Sequence, residues 1–138
     1  MNIDISNKVV IVTGAATGIG KVIAEIFAKE GVKLSLWDTH FDELLKVAGT
    51  ISTQSGEKPV VVKCDVSSEH DVNEAVKITV EKFGTIDVLI ANAGILNASK
   101  ILETSAERWD EVFDVNTKGP FLCAKAVAPF LQSKKSGR

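Results

Sequence analysis

Tyrosine is missing altogether from the 138 residues, and cysteine, proline and methionine are scarce at 2, 3 and 1. Without tyrosine the chain has no phenol to act as acid, base or nucleophile. The two cysteines, Cys64 and Cys123, stand far apart in apolar surroundings, and neither has a second cysteine or a histidine at ligand spacing. No metal site and no disulfide framework is therefore expected, and both residues read as core thiols of a reducing compartment. No apolar run approaches the ~20 residues a membrane helix needs. The opening Met-Asn-Ile-Asp-Ile lacks the basic and apolar regions of a signal peptide. Surplus charge is absent too: 16 basic against 18 acidic residues leave −2, no field for nucleic acid or an anionic membrane. The expectation is a soluble, cytoplasmic protein with neither nucleic acid nor membrane as partner.

What is there is globular: 45% hydrophobic and 25% charged residues, at a length that can bury a real core. Residues 1–138 show no linker, repeat or low-complexity block, so one domain is expected. Short apolar runs at 9–12, 34–37, 60–62 and 88–91 lack alternation, as strands covered on both faces do. Between them, Ile19, Val22, Ile23, Ile26 and Phe27 recur at helical spacing, with Gly31 placed to stop the helix. Phe41, Leu44, Leu45 and Ala48 mark a second helix. Val72, Ala75, Val76, Thr79, Val80 and Phe83 mark a third, with Ser68 as N-cap and Gly84 after it. Thr104-x-x-Glu107 reads as a capping box that opens a short helix through Trp109 and Val112. A longer helix is expected from about 115 to 131, with Pro120 early and Pro129 near its end. Uninterrupted strand–helix alternation means right-handed βαβ units, hence an α/β domain with a parallel sheet.

The strongest chemical signal is Thr13-Gly14-Ala15-Ala16-Thr17-Gly18-Ile19-Gly20, between the first strand and the first helix. Glycines there allow a sharp turn and the close approach of a pyrophosphate, which the helix N-terminus then faces. Asp38 closes the second strand and by itself could be a solvated strand-end carboxylate. Asp65 follows the third strand in Cys64-Asp65-Val66 and could equally cap the turn before the next helix. His40 and His70 lie in polar stretches without matched partners and read as surface residues. Trp37 and Trp109 read as core or helix-packing residues, and Lys134 and Lys135 as cations suited to a helix C-terminus.

The spacing Thr-Gly-x-x-x-Gly-x-Gly resembles the short-chain dehydrogenases/reductases. Four further motifs follow in the family's order: Asp38, Cys64-Asp65-Val66, Asn92-Ala93-Gly94, and Arg108-Trp109-Asp110 with Val115-Asn116-x-x-Gly119-x-Phe121. The resemblance runs from about Asn7 to the last residue and departs slightly at Ala91, where many members carry a second asparagine. It implies a doubly wound, Rossmann-type sheet in the order 3-2-1-4 that stops before a fifth strand. It also implies an NAD-dependent oxidoreductase acting on a small-molecule alcohol or carbonyl. Thr13, Gly14, Thr17, Gly18, Ile19, Gly20, Asp38, Asp65, Val66, Asn92, Ala93 and Gly94 would contact the cofactor, and Asn116 would support a water of the proton relay. The family's serine, tyrosine and lysine have no counterparts here, so the chain is expected to be the cofactor-binding N-terminal part, inactive alone. A homo-oligomer through the helix at 115–131 is implied as well. Two alternatives keep a nucleotide site without this chemistry: a non-catalytic nucleotide-binding module, and a methyltransferase, whose glycine loop usually reads Gly-x-Gly-x-Gly.

Overall fold

The computed structural model describes residues 4–134. Strands β1 (Val9–Thr13), β2 (Lys33–Asp38), β3 (Val60–Lys63) and β4 (Val88–Ile90) form one parallel sheet in the order β3-β2-β1-β4. Helices α1 (Gly18–Lys29), α2 (Phe41–Ser55), α3 (Glu69–Phe83), α4 (Ala106–Phe113) and α5 (Gly119–Lys134) complete the chain. The expected architecture and strand order are both present. Among the described residues no helix is long and apolar enough to cross a membrane.

Alternation along the strands builds two cores. Val10 and Val12 of β1, with Leu34 and Leu36 of β2, pack against Leu44, Val47, Ala48 and Ile51 of α2. Ile11 and Trp37 face the other way, onto Val72, Ala75 and Val76 of α3 and Leu122 and Val127 of α5. A side-chain chain is buried in this second core: the Trp37 indole N–H donates to Ser35 Oγ (2.9 Å), which lies 2.7 Å from Thr79 Oγ1. Thr79 in turn donates to the Ala75 carbonyl at 2.7 Å. The last bond uses the threonine proton, so Ser35 must donate to Thr79, and every polar atom of the chain is satisfied.

Four expectations change. Of the expected face of helix α1, Ile23 and Phe27 pack against the core, but Gly20 and Ala24 are the residues it buries and Ile19, Val22 and Ile26 stay exposed. Small residues let its axis approach the sheet, whereas hydrophobic spacing alone favours the face with the larger side chains. The cap of α4 is Ser105, whose hydroxyl accepts the Arg108 N–H at 3.1 Å. Thr104 is not the cap, because its hydroxyl donates to the Lys100 carbonyl (3.0 Å) across a 3₁₀ turn. The long helix starts at Gly119, since residues 114–118 form a π turn closed by the Gly119 N–H on the Asp114 carbonyl. Pro120 explains it: without an N–H it cannot donate to the Asn116 carbonyl, so the first α-type bond there is missing. Finally, Trp109 is exposed and stacks on Phe113 of its own helix (4.7 Å between rings), rather than entering the core. Trp37 is fully buried, as expected. Lys135 lies outside the described residues.

Lys134 does more than complement the helix dipole. Its amine bonds Asp87 Oδ1 at 2.7 Å, while Asp87 Oδ2 accepts the Val9 N–H at 2.9 Å, so one carboxylate ties the end of α5 to the starts of β1 and β4. Burial pushes the Asp87 carboxyl up, but the Lys134 bond, the Val9 N–H and the charges of Lys134 and Lys8 outweigh it and hold it below its ordinary value. A carboxyl lowered on folding stabilises the native state above its unfolded pKa, and that contribution is lost as the pH falls through the folded value. Asp87→Asn should therefore cost about 1–2 kcal/mol at neutral pH, less than a fully buried pair because the lysine is partly in water. The difference from the parent chain should shrink below about pH 4. Urea unfolding of both forms at neutral and acid pH measures it, and a pH-independent gap would refute it.

Candidate functional site

All four strands end on the same side of the sheet, and the turns that follow them surround a cleft of ≈ 490 Å³. That is the size range of small-ligand sites, placed where parallel sheets bind them. Gly14, Thr17, Gly18 and Ile19 form one wall after β1. Asp38, Thr39 and His40 close the end beyond β2, Cys64, Asp65 and Val66 follow β3, and Asn92, Ala93, Gly94 and Ile95 follow β4. Glu111 and Val115, from α4 and the π turn, complete the lining.

The glycine loop is fixed from below. Gly14 has φ +65°, a left-handed value that favours glycine. A Cβ on Gly20 would run into the Gly14 carbonyl oxygen and stand 2.5 Å from Asn92 Nδ2. Asn92 Nδ2 donates to the Thr13 and Gly14 carbonyls at 3.0 and 3.3 Å, while Thr13 Oγ1 accepts the N–H groups of Asn92 and Ala93, both at 3.0 Å. Thr13 and Gly20 therefore brace the cleft and do not line it.

Asp38 is only 8% exposed although it faces the cleft. Its Oδ2 accepts the Ala16 N–H at 2.9 Å, and its Oδ1 accepts the His40 N–H at 2.9 Å. Asp65 serves its turn, with Oδ1 accepting the N–H (2.9 Å) and the hydroxyl (2.7 Å) of Ser67, and it lines the cleft as well. The two uses that the sequence left open are thus compatible. Asn116 lies beneath the loop after β4. Its Nδ2 donates to the Ile95 carbonyl and its Oδ1 accepts the Ile95 N–H, both at 2.8 Å. Arg108 holds the next residue, donating to the Leu96 carbonyl at 2.9 Å.

Cys64 touches the cleft, but burial, with Cys123, Asp71 and Asp65 nearby, pushes its thiol up to about 12. Burial likewise lifts Cys123 to about 11. Neither supplies thiolate at neutral pH.

Sequence reasoning missed Thr39, His40, Cys64, Ile95, Glu111 and Val115 as lining residues, Cys64 having been read as a core thiol alone. Thr39, His40 and Ile95 are neighbours in sequence of motif residues and could have been found by extending each motif. Val115 opens the motif Val115-Asn116-x-x-Gly119-x-Phe121 and Glu111 directly follows Arg108-Trp109-Asp110, but only the π turn and the helix before it bring them over the cleft. His40 also corrects an expectation, since its Nδ1 stands 3.1 Å from Asp38 Oδ1.

The sequence model of the family described as short chain dehydrogenase matches residues 8–138. An uncharacterized oxidoreductase of Listeria monocytogenes is 37% identical over 133 residues, covering 96% of this chain and 53% of its own length. One of Staphylococcus aureus is also 37% identical over 133 residues, covering 96% and 56%. The alcohol dehydrogenase of Thermococcus sibiricus, solved with 5-hydroxy-NADP, superposes with TM-score 0.89 at 34% identity over 94% of this chain and 55% of that one. L-sorbose reductase of Gluconobacter frateurii, solved with NADPH and L-sorbose, gives TM-score 0.93 at 31% identity over 99% and 52%. The chain spans about half the length of the curated relatives it matches.

Proposed function

We propose, from the premise that this chain belongs to the short-chain dehydrogenase family, that its cleft is the nucleotide site of an oxidoreductase using NAD(H) to interconvert an alcohol and a carbonyl. Residues 1–138 are read as one nucleotide-binding domain, the N-terminal part of that catalytic unit. Membership in the family removes the methyltransferase alternative. The alcohol dehydrogenase and sorbose reductase among the similar structures support the reaction class.

The residues present fit a dinucleotide. Helix α1 begins with no side-chain cap at Thr17 and no acid in its first turn, so its amide groups are free for an anion. The space beside Gly18 is open, with nothing within 4 Å of where a Cβ would stand. Pyrophosphate would lie at Gly14, Thr17, Gly18 and Ile19, the adenosine ribose at Asp38, adenine at Asp65 and Val66, and the nicotinamide half toward Asn92, Ala93 and Gly94. Bound there, the nicotinamide would give or take the hydride. Thr13 and Gly20 would act by fixing the loop. Asn116 would position Ile95 with its side chain, which leaves the relay water to its backbone carbonyl, the group Pro120 deprives of an α-helical donor. A homo-oligomer through α5, where Phe121 stands exposed, belongs to the same proposal.

The observation that carries the choice of NAD is Asp38, a buried carboxylate facing the cleft at the end of β2. A 2′-phosphate beside it would meet a like charge at ~4 Å. At an effective dielectric of ~20 that costs about 4 kcal/mol per charge pair, an upper bound before screening. Ala15, Ala16, Thr17 and Thr39 supply no compensating cation. Two similar structures hold NADP-type nucleotides, so the preference proposed here is a statement about residue 38 of this chain. NADH should bind at least about tenfold more tightly than NADPH at neutral pH, and Asp38→Ala should narrow the gap. Calorimetric titration with both nucleotides tests this, and tighter NADPH binding by the parent chain would overturn it.

A further inference from the structure

The carboxylate that would meet the ribose is already partly engaged. Each carboxylate oxygen can accept two hydrogen bonds. Asp38 Oδ2 takes one, from the Ala16 N–H, and keeps one position free. Asp38 Oδ1 takes the His40 N–H at 2.9 Å and has the His40 ring nitrogen Nδ1 at 3.1 Å. A bare Nδ1 lone pair against a carboxylate oxygen would repel at that distance. The contact is therefore favourable only with a proton on Nδ1, in the neutral tautomer or in the imidazolium. Either form fills Oδ1. The rest of the ring is in water, with the side chain 74% exposed, and it lines the same end of the cleft as Asp38 and Thr39.

We propose that His40 is the specificity-determining partner of Asp38: its charge sets whether the ribose 2′ position meets a net anion or a neutral pair. This rests on the reading of the cleft as a nicotinamide-nucleotide site. With a neutral imidazole the Asp38–His40 pair carries one negative charge and repels a 2′-phosphate. With an imidazolium the pair is neutral, and the ring's second N–H becomes a charged donor that a phosphate can use and a hydroxyl scarcely needs. Among side chains, histidine is the one whose ordinary range lies nearest neutral pH.

The other charges near this end of the cleft come from α1, α2, β3 and the turn after it: Lys63 of β3 stands opposite Asp38 in register, and Asp42 shares the first turn of α2 with Glu43. Glu43 of α2 feels the His40 charge and is itself paired with Lys46 at 2.8 Å. The charge of Lys21 of α1 also acts on Glu43. Asp65, after β3, lines the same cleft. None of these cations touches Asp38, so no residue but His40 can neutralise that carboxylate by direct contact among the described residues.

The test is calorimetric titration of the 138-residue chain with NADH and NADPH at about pH 6 and pH 8, in the parent and in two variants. His40→Asn keeps an N–H for Asp38 Oδ1 but cannot become charged, and His40→Arg is charged throughout. The side chain at residue 40 is exposed, so the fold is not at stake in either variant. The NADH:NADPH affinity ratio of the parent should fall on acidification about fivefold more than that of His40→Asn. His40→Arg should hold the ratio low at both pH values. The free 2′-phosphate also titrates in this range, identically whichever protein it is offered to, so the role of His40 is read from the difference between parent and variant. An equal pH dependence in parent and His40→Asn would overturn the role of His40. Failure of both nucleotides to bind any of the three would overturn the nucleotide-site reading beneath it.

Discussion

Supplied with NADH and any carbonyl substrate, the purified 138-residue chain should oxidise the nucleotide no faster than the uncatalysed background. The resemblance places the proton donor of this chemistry on a tyrosine, and the sequence has none. General acid–base catalysis is worth roughly 10²–10⁴-fold. Oriented binding of the second reactant is worth far more, with effective molarities of about 10⁵–10⁸ M. The titratable side chains that line the cleft are poor substitutes. Asp38 and His40 engage each other, Asp65 is held by Ser67, and Glu111 is paired with Arg108. The Cys64 and Cys123 thiols are too weakly acidic to donate a proton or to supply thiolate at neutral pH. Loss of NADH absorbance in the presence of a panel of aldehydes and ketones measures this. Nucleotide binding without turnover is the expected pair of results. Turnover by chain free of longer contaminants, within about a hundredfold of a complete relative, would mean that the acid lies elsewhere than the resemblance puts it.

Gly20→Ala should destabilise the protein by about 3–5 kcal/mol, a large part of the stability a domain of this size commands. Helix propensity alone predicts the reverse, since alanine inside a helix gains about 1 kcal/mol over glycine. At Gly20 the added methyl would occupy the place of the Gly14 carbonyl oxygen and crowd the Asn92 amide. The first is backbone and cannot swing aside; the second is a side-chain amide held in place by its two hydrogen bonds. Forcing α1 outward costs about 1–3 kcal/mol in strain. Opening the Asn92 bonds to the Thr13 and Gly14 carbonyls adds about as much again. Gly49 is the control: it lies within α2, is exposed, and nothing stands within 4 Å of its Cβ position. Gly49→Ala should be neutral or stabilising by up to about 1 kcal/mol. Denaturant midpoints of the two variants should therefore move in opposite directions. A Gly20→Ala chain as stable as the parent would show that the loop and the turn after β4 are not clamped together as described.

The sequence by itself determined the sheet. Four unalternating apolar runs require cover on both faces, and the helices between them leave parallel crossovers as the only short connection. It also determined which turns border the cleft, because Asp38 ends a strand, the glycine loop, Asp65 and Asn92 each follow one, and parallel strands end on one side. Tertiary structure decided the rest. Hydrophobic spacing measures the size of a face and not its distance from the sheet, so only packing could choose Gly20 and Ala24 over Ile19, Val22 and Ile26. A π turn depends on a missing donor four residues ahead and on what the freed segment can grip, here Asn116 on the backbone of Ile95. The partnership of Asp38 with Ala16 and His40 depends on backbone direction at a strand end, which no pattern of residue types encodes. Apolar periodicity is a sum over many weak contacts and survives in the one-dimensional record. A hydrogen bond is a condition on distance and angle between a few atoms, and it exists only once the chain has folded.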